Sequence, residues 1–113
     1  MAKSAINKVV KDTGIESQNI YLDYCVARLK NGFTEVCGNS YGSYTLIQDT
    51  NDYHAISTLP AKFRPSVAIY FLGSTLDGSQ TFRMRITTDG VVSYLCPYAN
   101  INYWMYDWVF PTA

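Results

Sequence analysis

Two hydrophobic rhythms divide this chain. In the first stretch Ala5, Ile6, Val9 and Val10 recur at helical spacing, and Gly14 is placed to end the helix. So short a stripe cannot stand without a surface to pack on. Residues 1–20 are therefore assigned to an N-terminal helix or linker, and residues 21–113 to a single β domain. From Tyr21 onward the apolar residues come in short runs broken by turn signals.

Residues 24–29 and 33–37 are β-prone runs separated by Asn31-Gly32, a dipeptide suited to the positive φ angles of a two-residue hairpin. A two-residue loop sets Lys30 opposite Phe33 and Arg28 opposite Glu35, so that unlike charges face one another across the strands. The same register places Cys25 and Cys37 on opposite faces of the sheet, which speaks against a disulfide between them. A loop rich in Gly, Ser and Asn follows at 38–43, and further strands are expected at 44–48 and 53–57. Pro60 and Pro65 keep the intervening chain extended or turning. Residues 67–72 are apolar throughout and predict a central strand.

Beyond the Asp77-Gly78 turn, Phe82, Met84 and Ile86 alternate with Arg83 and Arg85. A two-residue loop at Asp89-Gly90 pairs Ile86 with Ser93 and Arg85 with Tyr94. The predicted core face is then Phe82, Met84, Ile86, Val91 and Leu95, with Arg85 over Tyr94 outside in a cation–π contact. The last strand carries Trp104, Tyr106, Trp108 and Phe110 on one side and Tyr103, Met105 and Val109 on the other. A strand apolar on both faces is covered on both, by a second sheet or by a neighbouring subunit. Trp104, Tyr106 and Trp108 are accordingly candidate interface residues. About seven short antiparallel strands with frequent turns predict an all-β fold of the β-sandwich or jelly-roll kind.

Composition narrows the function. Of 113 residues, 48% are hydrophobic and 15% aromatic, enough for a dense core in one domain. Nine basic residues balance nine acidic ones. The basic excess that phosphate neutralisation demands of a nucleic-acid binder is missing, so none is expected as a partner. No run approaches the ~20 apolar residues of a membrane helix, and the N-terminus lacks the apolar core of a secretory signal. Synthesis in the cytoplasm without membrane insertion is expected. The three cysteines, Cys25, Cys37 and Cys96, are odd in number and read as free thiols.

No catalytic constellation stands out, and the chain is read as non-enzymatic and without cofactor. His54 has no nucleophile motif beside it and reads as an edge or surface histidine that shares a face with Asp52. Asp49, Asn51 and Asp52 are calcium-loop residue types, but the run lacks the glycine and distal glutamate of an EF-hand, so no metal is expected. A glycan hydrolase needs two facing carboxylates, and the sequence brings no such pair together locally. The late loop is different. Tyr98, Asn100, Asn102 and Tyr103 join flat rings to amides, the groups that sugar C–H faces and hydroxyls require. These four are the candidate ligand-binding residues.

Several short motifs in order also resemble one family. Leu59-Pro60, Phe63-Arg64-Pro65 and Ile69-Tyr70-Phe71 form a proline turn entering a strand. The hairpin with Arg85-Ile86 and Asp89-Gly90-Val91 follows, and an aromatic strand ends in Phe110-Pro111-Thr112. With the opening hairpin from Arg28 to Gly38, this order resembles the C-terminal head modules of tail-fibre and baseplate proteins from phages of Gram-positive bacteria. The resemblance spans about residues 24–112. It implies a β-sandwich head in the virion, homotrimeric, bound to other tail or baseplate proteins, and recognising a host cell-wall saccharide. A purely structural trimeric tail domain would share the same motifs.

Overall fold

In the computed structural model, which describes residues 18–113, Asn31 and Gly32 take φ angles of 56° and 80°. They close the hairpin between strand β2 (Cys25–Lys30) and strand β3 (Phe33–Tyr41). Lys30 faces Phe33 and Arg28 faces Glu35 as expected, with Arg28 and Glu35 3.7 Å apart. Cys25 is buried, Cys37 is exposed, and both are free thiols, as is the buried Cys96. Strand β1 (Gln18–Leu22) precedes this hairpin and pairs with β2, so residues 18–20, expected in the helix or linker, are β structure. The rest of the expected helix or linker, residues 1–17, lies outside the described residues.

The remaining strands are β4 (His54–Thr58), β5 (Ile69–Thr75), β6 (Thr81–Ile86), β7 (Val91–Leu95) and β8 (Tyr103–Pro111). All eight form one antiparallel sheet in the order β1-β2-β3-β8-β5-β6-β7-β4. Its two halves join only where Ser74 and Thr75 of β5 meet Met105 and Trp104 of β8. The sheet folds back on itself about this seam, and Ser57 Oγ, on the outermost strand β4, donates to the Asp23 carbonyl between β1 and β2 at 2.6 Å. The result is an all-β, sandwich-like fold, nearly closed. The run 44–48, expected as a strand, is irregular and makes only a single bridge between Gln48 and Cys96.

The inner faces of both halves supply the core. Trp104 packs edge-on to Tyr44 and Phe82, and stacks with Tyr106. Its indole N–H donates to the Tyr44 carbonyl at 2.9 Å. The Tyr106 hydroxyl donates to the Tyr24 carbonyl at 2.6 Å. Trp104 and Tyr106 are 0% and 2% exposed within one chain. They were expected at an interface, and this burial removes them from any contact with a neighbour. Trp108 is half-exposed and stacks on Phe71 at 5.6 Å. Within one chain β8 is covered on one side only: Tyr103, Met105 and Val109 stand outward and exposed. Strand β5 behaves in the same way, with Phe71 inside and Tyr70 and Leu72 outside.

The second hairpin departs from its expected register. Arg85 faces Ser93 and Met84 faces Tyr94, one residue away from the two-residue reading. Gly90, at φ 87°, closes a three-residue loop in which its N–H donates to the Thr87 carbonyl at 2.8 Å. A slip of one residue exchanges the faces of a strand. Val92 and Tyr94 therefore join Met84 and Ile86 in the core; of the two residues expected there, Val91 is only partly buried, while Leu95 is buried but lies on the face of Arg83. Arg85 consequently lies over Tyr53 and not over Tyr94.

Candidate functional site

At the seam between the two half-sheets, the β5–β6 turn and the loop entering β8 enclose an open cleft of about 450 Å³. From one side come Thr75, Asp77 and Gln80, and from the other Asn100, Asn102 and Tyr103. The seam itself creates this meeting. Pairing of Thr75 with Trp104 continues into a bond from the Leu76 N–H to the Tyr103 carbonyl at 3.0 Å, which ties one loop to the other.

Both walls are fixed by their own backbones. In the first, Gly78 sits at φ 75° and donates to the Thr75 carbonyl at 2.9 Å. Asp77 Oδ1 accepts from the Thr75 hydroxyl at 2.7 Å, the Ser79 N–H at 2.9 Å and the Ser79 hydroxyl at 2.8 Å. The Ser79 N–H, then the two hydroxyls, hold the Asp77 carboxyl down at about 2. The cleft thus carries a fixed negative charge, and Oδ1 is saturated by the turn. In the second wall Asn100 adopts φ 62°, a left-handed conformation that asparagine tolerates better than most residues. The Asn102 carbonyl accepts from the Gly42 N–H at 2.8 Å and from the Ser40 hydroxyl at 3.0 Å. A Cβ on Gly42 would lie 3.3 Å from the Tyr103 hydroxyl, so the small residue leaves that ring its place.

Three of the four expected ligand residues, Asn100, Asn102 and Tyr103, therefore line one cleft. Tyr98 is not part of its lining; it is partly exposed, and its carbonyl lies 3.7 Å from the Cys96 thiol. The residues that sequence reasoning missed are Thr75, Asp77 and Gln80. Their signal was a polar cluster around Asp77-Gly78, read only as turn chemistry. Which loop it would face depended on the β5–β8 seam.

Elsewhere the titratable groups have structural explanations. His54 pairs with Asp49 at 2.9 Å and not with Asp52. Asp49 also accepts from the Asn51 N–H, the chief reason, ahead of His54, that its carboxyl is lowered to about 2. The exposed Cys37 thiol is pushed up by desolvation and by the nearby Asp107 and Glu35 carboxylates, which keeps it protonated and a poor nucleophile. Among the described residues no three metal-ligating side chains come together, and no helix is long and apolar enough to cross a membrane. The chain matches no family model and no curated protein.

Proposed function

We propose that this chain is a non-catalytic saccharide-binding head domain of the tail-fibre or baseplate type, with its sugar site in the cleft between residues 75–80 and 100–103. The observation that carries the reading is the convergence of the Gln80, Asn100 and Asn102 amides with the Asp77 carboxylate beside the half-exposed Tyr103 ring. A sugar offers a C–H face to the ring and hydroxyls to the amides. The single negative charge favours neutral or amine-bearing sugars over acidic ones.

A trimeric organisation fits the outward apolar residues of β3 and β8, where Phe33, Tyr41, Met105 and Val109 are 51%, 69%, 44% and 57% exposed. These residues share one outward face of the β3–β8 pair with Glu35, Asn39 and Asp107, and apolar residues grouped on one face suit subunit contact. Three linked sites would raise weak single-site affinity by avidity. The same face favours the structural-domain reading if no sugar binds. The test is titration of soluble Gram-positive cell-wall polysaccharide and of its neutral and amino-sugar fragments, with solution mass from light scattering. Binding that is lost in Asn100→Ala and Tyr103→Ala, with a trimeric mass, is the expected result. A trimer that retains no fragment would leave only the structural role; a monomer that retains none would overturn both.

A further inference from the structure

The outward face of β5, β6 and β7 has a different chemistry from the cleft. Arg83 and Arg85 alternate with the buried Phe82, Met84 and Ile86, so both project outward. Register sets Leu72 and Leu95 on either side of Arg83, and Tyr70 and Ser93 on either side of Arg85. Two hollows of about 360 and 370 Å³ adjoin here and share Leu72 and Arg83. One runs on to Leu95 and Pro97, the other to Tyr53 and Tyr70. Tyr70 and Leu72 are 62% and 61% exposed.

Neither guanidinium is paired with a carboxylate among the described residues. Among the described residues the ion pairs are Arg28–Glu35 and His54–Asp49, and no carboxylate comes within pairing distance of Arg83 or Arg85. The Arg85 guanidinium carbon sits 4.1 Å from the centre of the Tyr53 ring, which steadies its plane. Its Nε is enclosed without a hydrogen-bond partner. The walls of both hollows hold no amide or carboxylate side chain, the groups a sugar would need. Arginine and tyrosine around exposed leucine are instead the makings of a protein interface centre.

We propose that this face docks a partner protein through an extended acidic segment, whose alternate carboxylates pair with Arg83 and Arg85. Alternate side chains on a strand recur about every 7 Å, so carboxylates at every second residue of an extended partner match the two arginines in spacing. Leucines flanking those carboxylates would cover the exposed Tyr70 and Leu72. The docking does not depend on the sugar reading, since it uses none of the cleft residues.

The test is an amide NMR titration of the full chain with the capped peptide Leu-Ser-Glu-Ser-Glu-Ser-Leu and with its counterpart carrying Gln for Glu. Shifts at residues 70–72, 83–85 and 93–95 are expected. Affinity should fall about tenfold for the Gln peptide and for Arg83→Gln or Arg85→Gln, because a charge-assisted pair is lost. It should also fall as salt rises. Both variants keep a long polar side chain on an outward strand position, and their unchanged spectra away from β6 verify the fold. Equal affinity for the two peptides, shifts confined to 75–80 and 100–103, or no shift at millimolar peptide would overturn the proposal. Tighter binding of oligogalacturonate at the same residues would do so too, and would make the ligand an acidic glycan.

Discussion

The cleft at 75–80 and 100–103 and the arginine face of β5–β7 lie on the same sheet and differ in how they are built. The cleft consists of loop ends whose backbones are pinned by hydrogen bonds, and its side chains are amides, hydroxyls and one carboxylate. The arginine face consists of strand residues that point outward by alternation alone, and its side chains are cations and apolar groups. Loops positioned by a rigid scaffold suit small polar ligands that need several donors and acceptors at fixed angles. Flat strand faces suit larger partners that cover area. One fold therefore presents two surfaces of opposite charge and different construction.

The comparison can be broken at its shared foundation. Trp104 fills the core beneath the seam that forms the cleft. Trp104→Ala should lower stability by about 3–5 kcal/mol, measured by urea unfolding, and should weaken both surfaces together. Retention of sugar binding at unchanged stability would mean that the seam does not depend on this ring. Gly73, on β5 between the two surfaces, has less room still. A Cβ there would lie 2.5 Å from the Phe82 ring and 3.1 Å from the Met105 carbonyl. Gly73→Ala should cost about 1–3 kcal/mol through overpacking, read in the same unfolding experiment.

Substitutions on one surface sharpen the contrast. Asp77→Asn removes the cleft's charge and leaves the arginine face untouched. Sugar affinity by calorimetry should drop about tenfold, or ~1.4 kcal/mol, with peptide shifts at residues 83–85 unchanged. Equal losses at both surfaces would merge them into one site. The smallest effect is electrostatic. The Asp77 carboxyl lies at about 2 in the folded chain, against 3.8 ordinarily. Its stabilising bonds are complete above about pH 4 and are lost as the pH falls toward 2. Thermal melts across that window should fall less steeply in Asp77→Asn than in the parent. An identical slope would show that the turn holds no preference for the ionised form.

Much of the architecture was legible from local signals. The Asn31-Gly32 hairpin, its register and the opposed cysteines follow from turn chemistry and alternation, which act within a few residues. So does the outward placement of Arg83 and Arg85. The Asp89-Gly90 hairpin was misregistered because an Asp-Gly pair serves both a two-residue loop and the last positions of a three-residue one. Local sequence does not separate those cases, and the choice moved Tyr94 into the core. Of the cleft, Asn100, Asn102 and Tyr103 were visible as an amide and aromatic cluster, while Asp77 was visible only as a turn residue.

By itself the sequence determined an all-β chain, its turns, and which residues share a strand face, because these depend on steric and hydrogen-bonding preferences of near neighbours. Only the tertiary structure decided which of two apolar faces is covered, as it buried Trp104 and Tyr106 while leaving Tyr70, Leu72 and Val109 in the open. Only the tertiary structure, too, brought Asp77 to the same cleft as Asn100 and Tyr103. That meeting rests on the pairing of β5 with β8, a contact between distant parts of the chain that no local pattern encodes.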